Sequence, residues 1–474
     1  MAKKTELLSL RREILNDEFS FLNPAQREAV FANGAPLLIL AGAGSGKTTT
    51  VISKIGYLIK YGDSYNSQDI DFEEDDLEFL KKCLANKSLR TGERYSKLMS
   101  VSPFDPFNIL AITFTNKAAG EMRERLEKQY GIDGNKLWAL TFHSLCVRIL
   151  RRFCDRLGYD RNFTIYDDTD SHRVIEALLK KHRLNERYNA RAAARVISTA
   201  KSRYVSADDF SDDGDIEKIY RDYQTELKEA TAFDFDDLIF MTVRLLSTDE
   251  NARKAVNNRF KYVLVDEYQD TNPLQERLIS LLAPHGNICV VGDDDQSIYR
   301  FMGASVENIL NFENHFKHAK TVRLEQNYRS TQTILDAANA VIANNEDRKG
   351  KRLWTDAGYG DKITVSRLHS QSEEGSYICR AITERRQKTG LKNNDFCVLY
   401  RTNAQSNAIE HAMRMNDIPY RVFGGLPFFK RKEVQDILAY MNVICNPYDR
   451  TRLLRIINEP KRGIGDTTIE KINA

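Results

Sequence analysis

The segment AGAGSGKT, Ala41 to Thr48, sets three glycines and a lysine between an apolar run, Leu37 to Leu40, and a helical pattern from Lys47 to Ile59. A turn of this composition lets the backbone of Ala43, Gly44, Ser45 and Gly46, and of the first helical residues through Thr49, close N–H groups around phosphates. The helix N-terminus adds the positive end of its dipole. Lys47 is spaced to reach the β- and γ-phosphates, and the Thr48 hydroxyl suits Mg²⁺. In YVLVDEYQDT, Asp266 and Glu267 follow an apolar run directly. Two adjacent carboxylates at a strand end suit nucleotide hydrolysis, one holding Mg²⁺ and the other orienting or deprotonating the attacking water. In VGDDDQSIYR, Gln296 is placed to sense a γ-phosphate and pass the event to Tyr299 and Phe301. Each segment alone has a blander reading, as a glycine turn, a pair of surface acids and a polar turn.

Chemistry of this kind needs a sheet whose strand ends converge. Besides 37–40, short β-rich runs stand at Ile109–Phe114, Trp138–Thr141, Tyr262–Val265, Ile288–Val291 and Thr321–Leu324, separated by helical stretches. That alternation predicts an α/β fold with a parallel sheet wrapped by helices. From Arg148 to Phe233 the pattern is helical and basic, without a strand, as in an inserted helical subdomain. After Arg329, strands at Ile363–Leu368, Cys397–Tyr400 and Tyr420–Phe423 predict a second α/β domain. Residues 61–107 are polar and acidic, and the expectation for them is a flexible, solvated excursion between the first two strands.

A chain of 474 residues implies about three to four domains. Its composition excludes a largely disordered or fibrous chain. No apolar run approaches the ~18–20 residues of a membrane span, and MAKKTELLSLRREIL lacks the apolar core of a secretory signal, so the expected location is cytoplasmic. Seven cysteines without C-x-x-C spacing read as reduced thiols, not as a zinc site. The net charge of +3 conceals an uneven distribution. Arg148–Arg203 carries 14 Lys/Arg against 7 Asp/Glu, while seven of the ten residues from Asp69 to Glu78 are acidic. The basic block points toward nucleic acid, although most charge runs are solvated faces.

The ordered string LNPAQREAV, AGAGSGKT, ITFTNKAAGEMRERL, TFHSLCVRILRR, DFDDLI, LVDEYQDTN, VGDDDQSIYRFMGA and LEQNYRST resembles the UvrD/PcrA/Rep group of superfamily 1 DNA helicases. RTNAQS, PYRVFGGLPFFKRKEVQDILAY and NEPKRGIG extend the likeness. The resemblance implies P-loop NTPase (RecA-like) parallel sheets with inserted helical subdomains, and ATP-driven 3′→5′ translocation on single-stranded DNA with unwinding of 3′-tailed duplex. It implies a first motor domain at 1–150 and 233–325, a basic helical subdomain at 151–232, a second motor domain at 326–442 and the start of a further subdomain at 443–474. By matching motif, Gln26 would read the adenine edge and Tyr328 stack on its face. Lys47, Thr48, Asp266, Glu267 and Gln296 keep the roles argued above. Arg329 would be an arginine finger, where a surface salt bridge is the plainer reading.

Motors on single strands need aromatic platforms for bases and polar donors for phosphates. The resemblance assigns Phe114, Tyr299 and Phe301 to bases and Thr115, Asn116 and His143 to the backbone, against the plainer alternative of core packing. PKRGIG, with Lys461 and Arg462, could present N–H groups to duplex phosphate or be an ordinary loop. The chain departs from the group at Thr49, where arginine is usual, and at Phe301–Met302, where Trp-Arg is usual. Two further motifs of the group do not occur before Ala474. The expectation is therefore an N-terminal fragment with weak ATP and DNA binding and little unwinding. Two other readings stand beside it, a non-unwinding module on single-stranded DNA and the motor part of a helicase–nuclease.

Overall fold

The structure, a computed structural model, describes residues 2–211, 214–299, 303–423, 432–465 and 468. Phe301, expected to stack on bases, lies outside the described residues.

Six apolar segments form one parallel sheet: β1 (Leu37–Ala41), β2 (Ile109–Thr113), β3 (Trp138–Thr141), β6 (Tyr262–Val265), β7 (Ile288–Gly292) and β8 (Lys320–Leu324). Their order is β3-β2-β6-β7-β1-β8. Leu38 pairs with Val290 on one side and Thr321 on the other, and Leu110 pairs with Val263. A sheet buried on both faces wants unbroken apolar strands, as these are. Leu38, Leu40, Ile112, Val263, Val265 and Val290 enter one core. Ile39, Ala111, Leu264, Cys289 and Val291 enter the other. All six expected strands form, within a residue at either end.

The helical subdomain consists of α8 (Asp168–Lys181), α9 (Ala190–Ser202) and α10 (Gly214–Glu229) around Ile175, Leu178, Ile197, Ile219, Tyr220 and Tyr223. It is not free of strands as expected. Two residues at each end, β4 (Thr164–Ile165) and β5 (Ala232–Phe233), pair in parallel and close its base. The segment 446–452 docks there too: Asn446 Nδ2 donates to Ala230 O at 3.0 Å, and Arg452 pairs with Asp170 at 3.2 Å.

The acidic stretch is a correction. Residues 61–107 contain α4 (Asp76–Ala85) and α5 (Gly92–Met99), packed with α1 (Ala2–Glu18) rather than loose in solvent. Leu80, Cys83, Tyr95, Leu98 and Met99 are buried with Leu7, Ile14, Leu15 and Phe19. Tyr57 and Tyr61 of α3 (Lys47–Tyr61) join the same core. The buried Arg11 donates to the carbonyls of Ser67 and Asp69, and Arg94 holds Asp76 at 2.7 Å. The charge run had masked apolar residues at helical spacing, which is what decides burial. Leu80→Ala should therefore cost about 2–4 kcal/mol of stability, read from urea unfolding. A loss below about 0.5 kcal/mol would mean the segment is solvated after all.

The chain divides into two compact units, Met1–Gly360 with Ala439–Ala474, and Asp361–Leu438. In the second, the helices Gln371–Thr389 and Asn403–Met415 pack through Cys379, Ile382, Ile409 and Met413. The strands expected at Ile363–Leu368, Cys397–Tyr400 and Tyr420–Phe423 do not form among the described residues. Val365 and Leu399 are 90% and 89% exposed. An apolar, extended segment becomes a strand only when a neighbour completes its hydrogen-bond ladder, and among the described residues none pairs with these. No described helix is long and apolar enough to cross a membrane. All seven cysteines are free thiols, five of them buried.

Candidate functional site

The carboxyl ends of β6, β7 and β1 lie side by side in the sheet, so the loops that follow them converge. The turn after β1 runs into α3 with Gly44 and Gly46 at φ of +68° and +81°. Among the described residues, the N–H groups of Gly44, Gly46, Lys47, Thr48 and Thr49 have no protein acceptor. The buried Ser45 Oγ is likewise without a hydrogen-bond partner. Donors left open at a helix N-terminus form a cradle for anionic oxygens. A Cβ at Gly46 would sit 2.6 Å from Gln26 Nε2, in a backbone conformation that L-residues avoid. Gly46→Ala is expected to weaken nucleotide binding at least tenfold in a fluorescence titration. Unchanged affinity would show that the turn does not carry the ligand.

Lys47 Nζ contacts Glu267 Oε2 at 2.7 Å, across 220 residues of sequence. Burial, followed by the charge of Glu267, pushes the Asp266 carboxyl up to about 6. Burial also works against the Glu267 charge, but the Lys47 cation and the Gln269 amide hold that carboxyl below its ordinary value. Glu267 has φ +52°, in the left-handed region, a strain of about 1–2 kcal/mol for a non-glycine residue. Two carboxylates of unlike proton affinity thus stand beside one lysine. Asp270 is raised to about 6 by burial and by Glu267.

The segment after β8 latches onto the same turn. Asn327 Nδ2 donates to Ala43 O at 2.6 Å, and Tyr328 N donates to Gly44 O at 2.9 Å. This brings Arg329 beside the cradle, exposed and with no hydrogen bond or ion pair to its guanidinium among the described residues. The Tyr328 ring is 58% exposed, with its hydroxyl accepting from Asn23 Nδ2 at 2.9 Å. Gln26 is buried on α2 (Pro24–Phe31), and both ends of its amide are engaged. Nε2 donates to Ser45 O at 2.9 Å, and Oε1 accepts from Asn23 N at 3.0 Å.

Gln296 Nε2 donates to Asp293 Oδ2 at 2.5 Å. Asp293, Asp294 and Asp295 could be taken for a metal cluster, but the Lys351 ammonium lies among all three, 2.7 Å from Asp293 and 2.8 Å from Asp295. A resident cation of the chain itself fills that position.

On the neighbouring loops, Phe114, Thr115, Asn116 and Tyr299 are exposed, the last at 44%. Phe114 meets the buried Phe142 edge-on at 5.7 Å. Thr115 has a local duty as well, since its hydroxyl accepts from Ala118 N at 3.1 Å and caps α6 (Asn116–Tyr130). His143 is half-buried near the start of α7 (Phe142–Phe153), and burial lowers its pKa.

Sequence reasoning missed Gln269, Asn327, Lys351 and Phe235. Gln269 and Asn327 stood inside the quoted motifs as polar residues with no assigned role, and Lys351 lay in RKGKRLW, outside them. Phe235, at the first turn of α11 (Phe235–Thr248), is 47% exposed and lies 5.6 Å edge-on from His143. Its signal was an aromatic flanked by aspartates in DFDD, a poor setting for a core side chain.

Residues 22–70 and 87–317 match the UvrD/REP helicase N-terminal domain, and residues 322–474 match the UvrD-like helicase C-terminal domain. α4 falls in the gap between the first two matched stretches, and α1 lies ahead of them. The protein named ATP-dependent DNA helicase PcrA from Staphylococcus epidermidis (strain ATCC 12228 / FDA PCI 1200) is 42% identical over 459 residues, 95% of this chain and 57% of that protein. Its namesake from Bacillus subtilis (strain 168) is 42% identical over 467 residues, 97% of this chain and 58% of that protein. This chain therefore spans less than two thirds of the length of these relatives.

Proposed function

This chain belongs to the UvrD/REP helicase family, and on that premise we propose that it binds and hydrolyses ATP with Mg²⁺ and uses the energy to move 3′→5′ on single-stranded DNA and part 3′-tailed duplex. The observation that carries this reading is the Lys47–Glu267 pair beside Asp266, set under open backbone donors at converging strand ends.

On arrival of a triphosphate, the cradle takes the phosphate oxygens and Lys47 exchanges Glu267 for the β- and γ-phosphates. Glu267, released from the cation but still held by Gln269, orients the attacking water and accepts its proton. The Thr48 hydroxyl and Asp266 are the residues that would hold Mg²⁺, whose chemistry is to neutralise charge on the phosphates. Arg329, exposed beside the cradle, stabilises the charge that develops on the transferred group. Tyr328 supplies a face for the adenine, and Gln26 must release Ser45 or Asn23 to reach its edge. Phe114, Tyr299 and Phe235 offer stacking faces, and Thr115, Asn116 and His143 offer polar contacts to the sugar-phosphate chain. Within this reading the first motor domain comprises 1–150 and 233–325, the helical subdomain 151–232, and the second motor domain begins at 326. The proposed site of action is the cytoplasm.

The test is a titration of a fluorescent ATP analogue with Mg²⁺ and with EDTA, followed by hydrolysis with and without oligo(dT). Magnesium-dependent binding and faster hydrolysis with DNA are expected. No magnesium-dependent binding would overturn the proposal.

A further inference from the structure

Between the carboxylate pair after β6 and the loop after β7 stands Gln269, bonded to both. Gln269 is 2% exposed. Its Nε2 donates to Glu267 Oε2 at 2.9 Å, the same oxygen that Lys47 holds, and makes a longer bond to Asp270 at 3.4 Å. Its Oε1 accepts the N–H of Asp293 at 2.9 Å. The two ends of the amide are not interchangeable, because a flip would set oxygen against carboxylate and NH₂ against N–H. Asp293 in turn accepts from Gln296 at 2.5 Å, and Ser297 Oγ donates to the main-chain oxygen of Gln269 at 3.3 Å. The approach is close: a Cβ at Gly292 would stand 2.8 Å from Gln269 Oε1. An unbroken run of contacts thus leads from Lys47 through Glu267, Gln269 and Asp293 to Gln296, three residues before the exposed Tyr299.

We infer that Gln269 is a positioning residue that carries the state of the nucleotide site to the loop 293–299. The inference rests on the reading of the P-loop as an ATP site. Lys47 and Gln269 share one oxygen of Glu267, so withdrawal of Lys47 toward a phosphate changes the load on the Gln269 amide. The other end of that rigid, fully buried amide fixes the first residue of the loop. A change at Glu267 is thereby delivered through the buried amide to the backbone of Asp293. The chain needs no large motion for this, only a small shift along a run of paired groups.

The experiment is hydrogen exchange of the intact chain with and without a non-hydrolysable ATP analogue and Mg²⁺, comparing wild type, Gln269→Met and Gln269→Glu. Methionine keeps the length and removes the hydrogen bonds at both ends of the amide, while glutamate, at an alkaline pH where it is ionised, keeps the acceptor for Asp293 and removes the donor to Glu267. In wild type, nucleotide should slow exchange at 42–50 and alter it at 293–299. In both variants the response at 42–50 should persist, and that at 293–299 should fall at least fivefold. A full response at 293–299 in Gln269→Met overturns the inference while leaving the nucleotide site intact. Should exchange rise throughout Gln269→Met, marking a fold failure, Gln269→Glu decides by the same criterion. No response at 42–50 in wild type would overturn the ATP site itself, and this inference with it.

Discussion

Lys201→Met is expected to destabilise the protein by about 3–5 kcal/mol at pH 7.5, because it removes the cation that pairs with two buried carboxylates. Lys201 is fully buried on α9, 2.6 Å from Asp234 and 2.8 Å from Asp237. Burial opposes its charge, but the two carboxylates outweigh burial and hold it protonated well above the ordinary lysine range. Burial and the charge of Asp234 push Asp237 up to about 7. Burial also opposes the charge on Asp234, but Lys201 and the donors from Asp237 N and Tyr223 hold that carboxyl low. Without the lysine, both carboxylates have folded-state pKa values above their unfolded ones. The folded variant then binds more protons than the unfolded chain as pH falls toward 5, and its stability rises. The deficit relative to wild type should therefore shrink at pH 5.5, as measured by urea unfolding at both pH values. A deficit below about 1 kcal/mol at pH 7.5, or one that grows on acidification, would show that the cluster is not what fixes the helical subdomain to the start of α11. Asp234 is the N-cap of α11, so the same cluster places the exposed Phe235.

Lys47→Ala should lower ATP hydrolysis in the presence of single-stranded DNA at least ~100-fold, the usual scale for losing one donor that stabilises transition-state charge. It also removes the cation that holds Glu267 below its ordinary pKa. Stability should change little, because Glu267 is 39% exposed at the side chain and partly solvated. Hydrolysis and nucleotide affinity both within threefold of wild type would exclude Lys47 from the chemistry. A matching loss of thermal stability would mean that the effect is structural.

The parallel sheet was legible from the chain because its strands are buried on both faces, and continuous apolar runs leave that burial no alternative. The phosphate cradle was legible for a related reason, since glycines at 44 and 46 followed by Lys47 serve a backbone shape that few other sequences adopt. The carboxylates at 266 and 267 were legible because they abut a strand end. What only the tertiary structure decided are the partnerships. Lys47 meets Glu267 across 220 residues, Asn327 closes over Ala43, Gln269 joins two loops and Lys351 fills the Asp293–Asp295 cluster. Such contacts depend on which strands become neighbours, and composition along the chain does not encode that order. The acidic segment was misjudged because its abundant charge hid the few apolar residues that pack against α1. The strands expected at 363–368, 397–400 and 420–423 do not form among the described residues, for the converse reason. Their apolar residues are local, but a strand is a property of a pair, and pairing is settled in three dimensions.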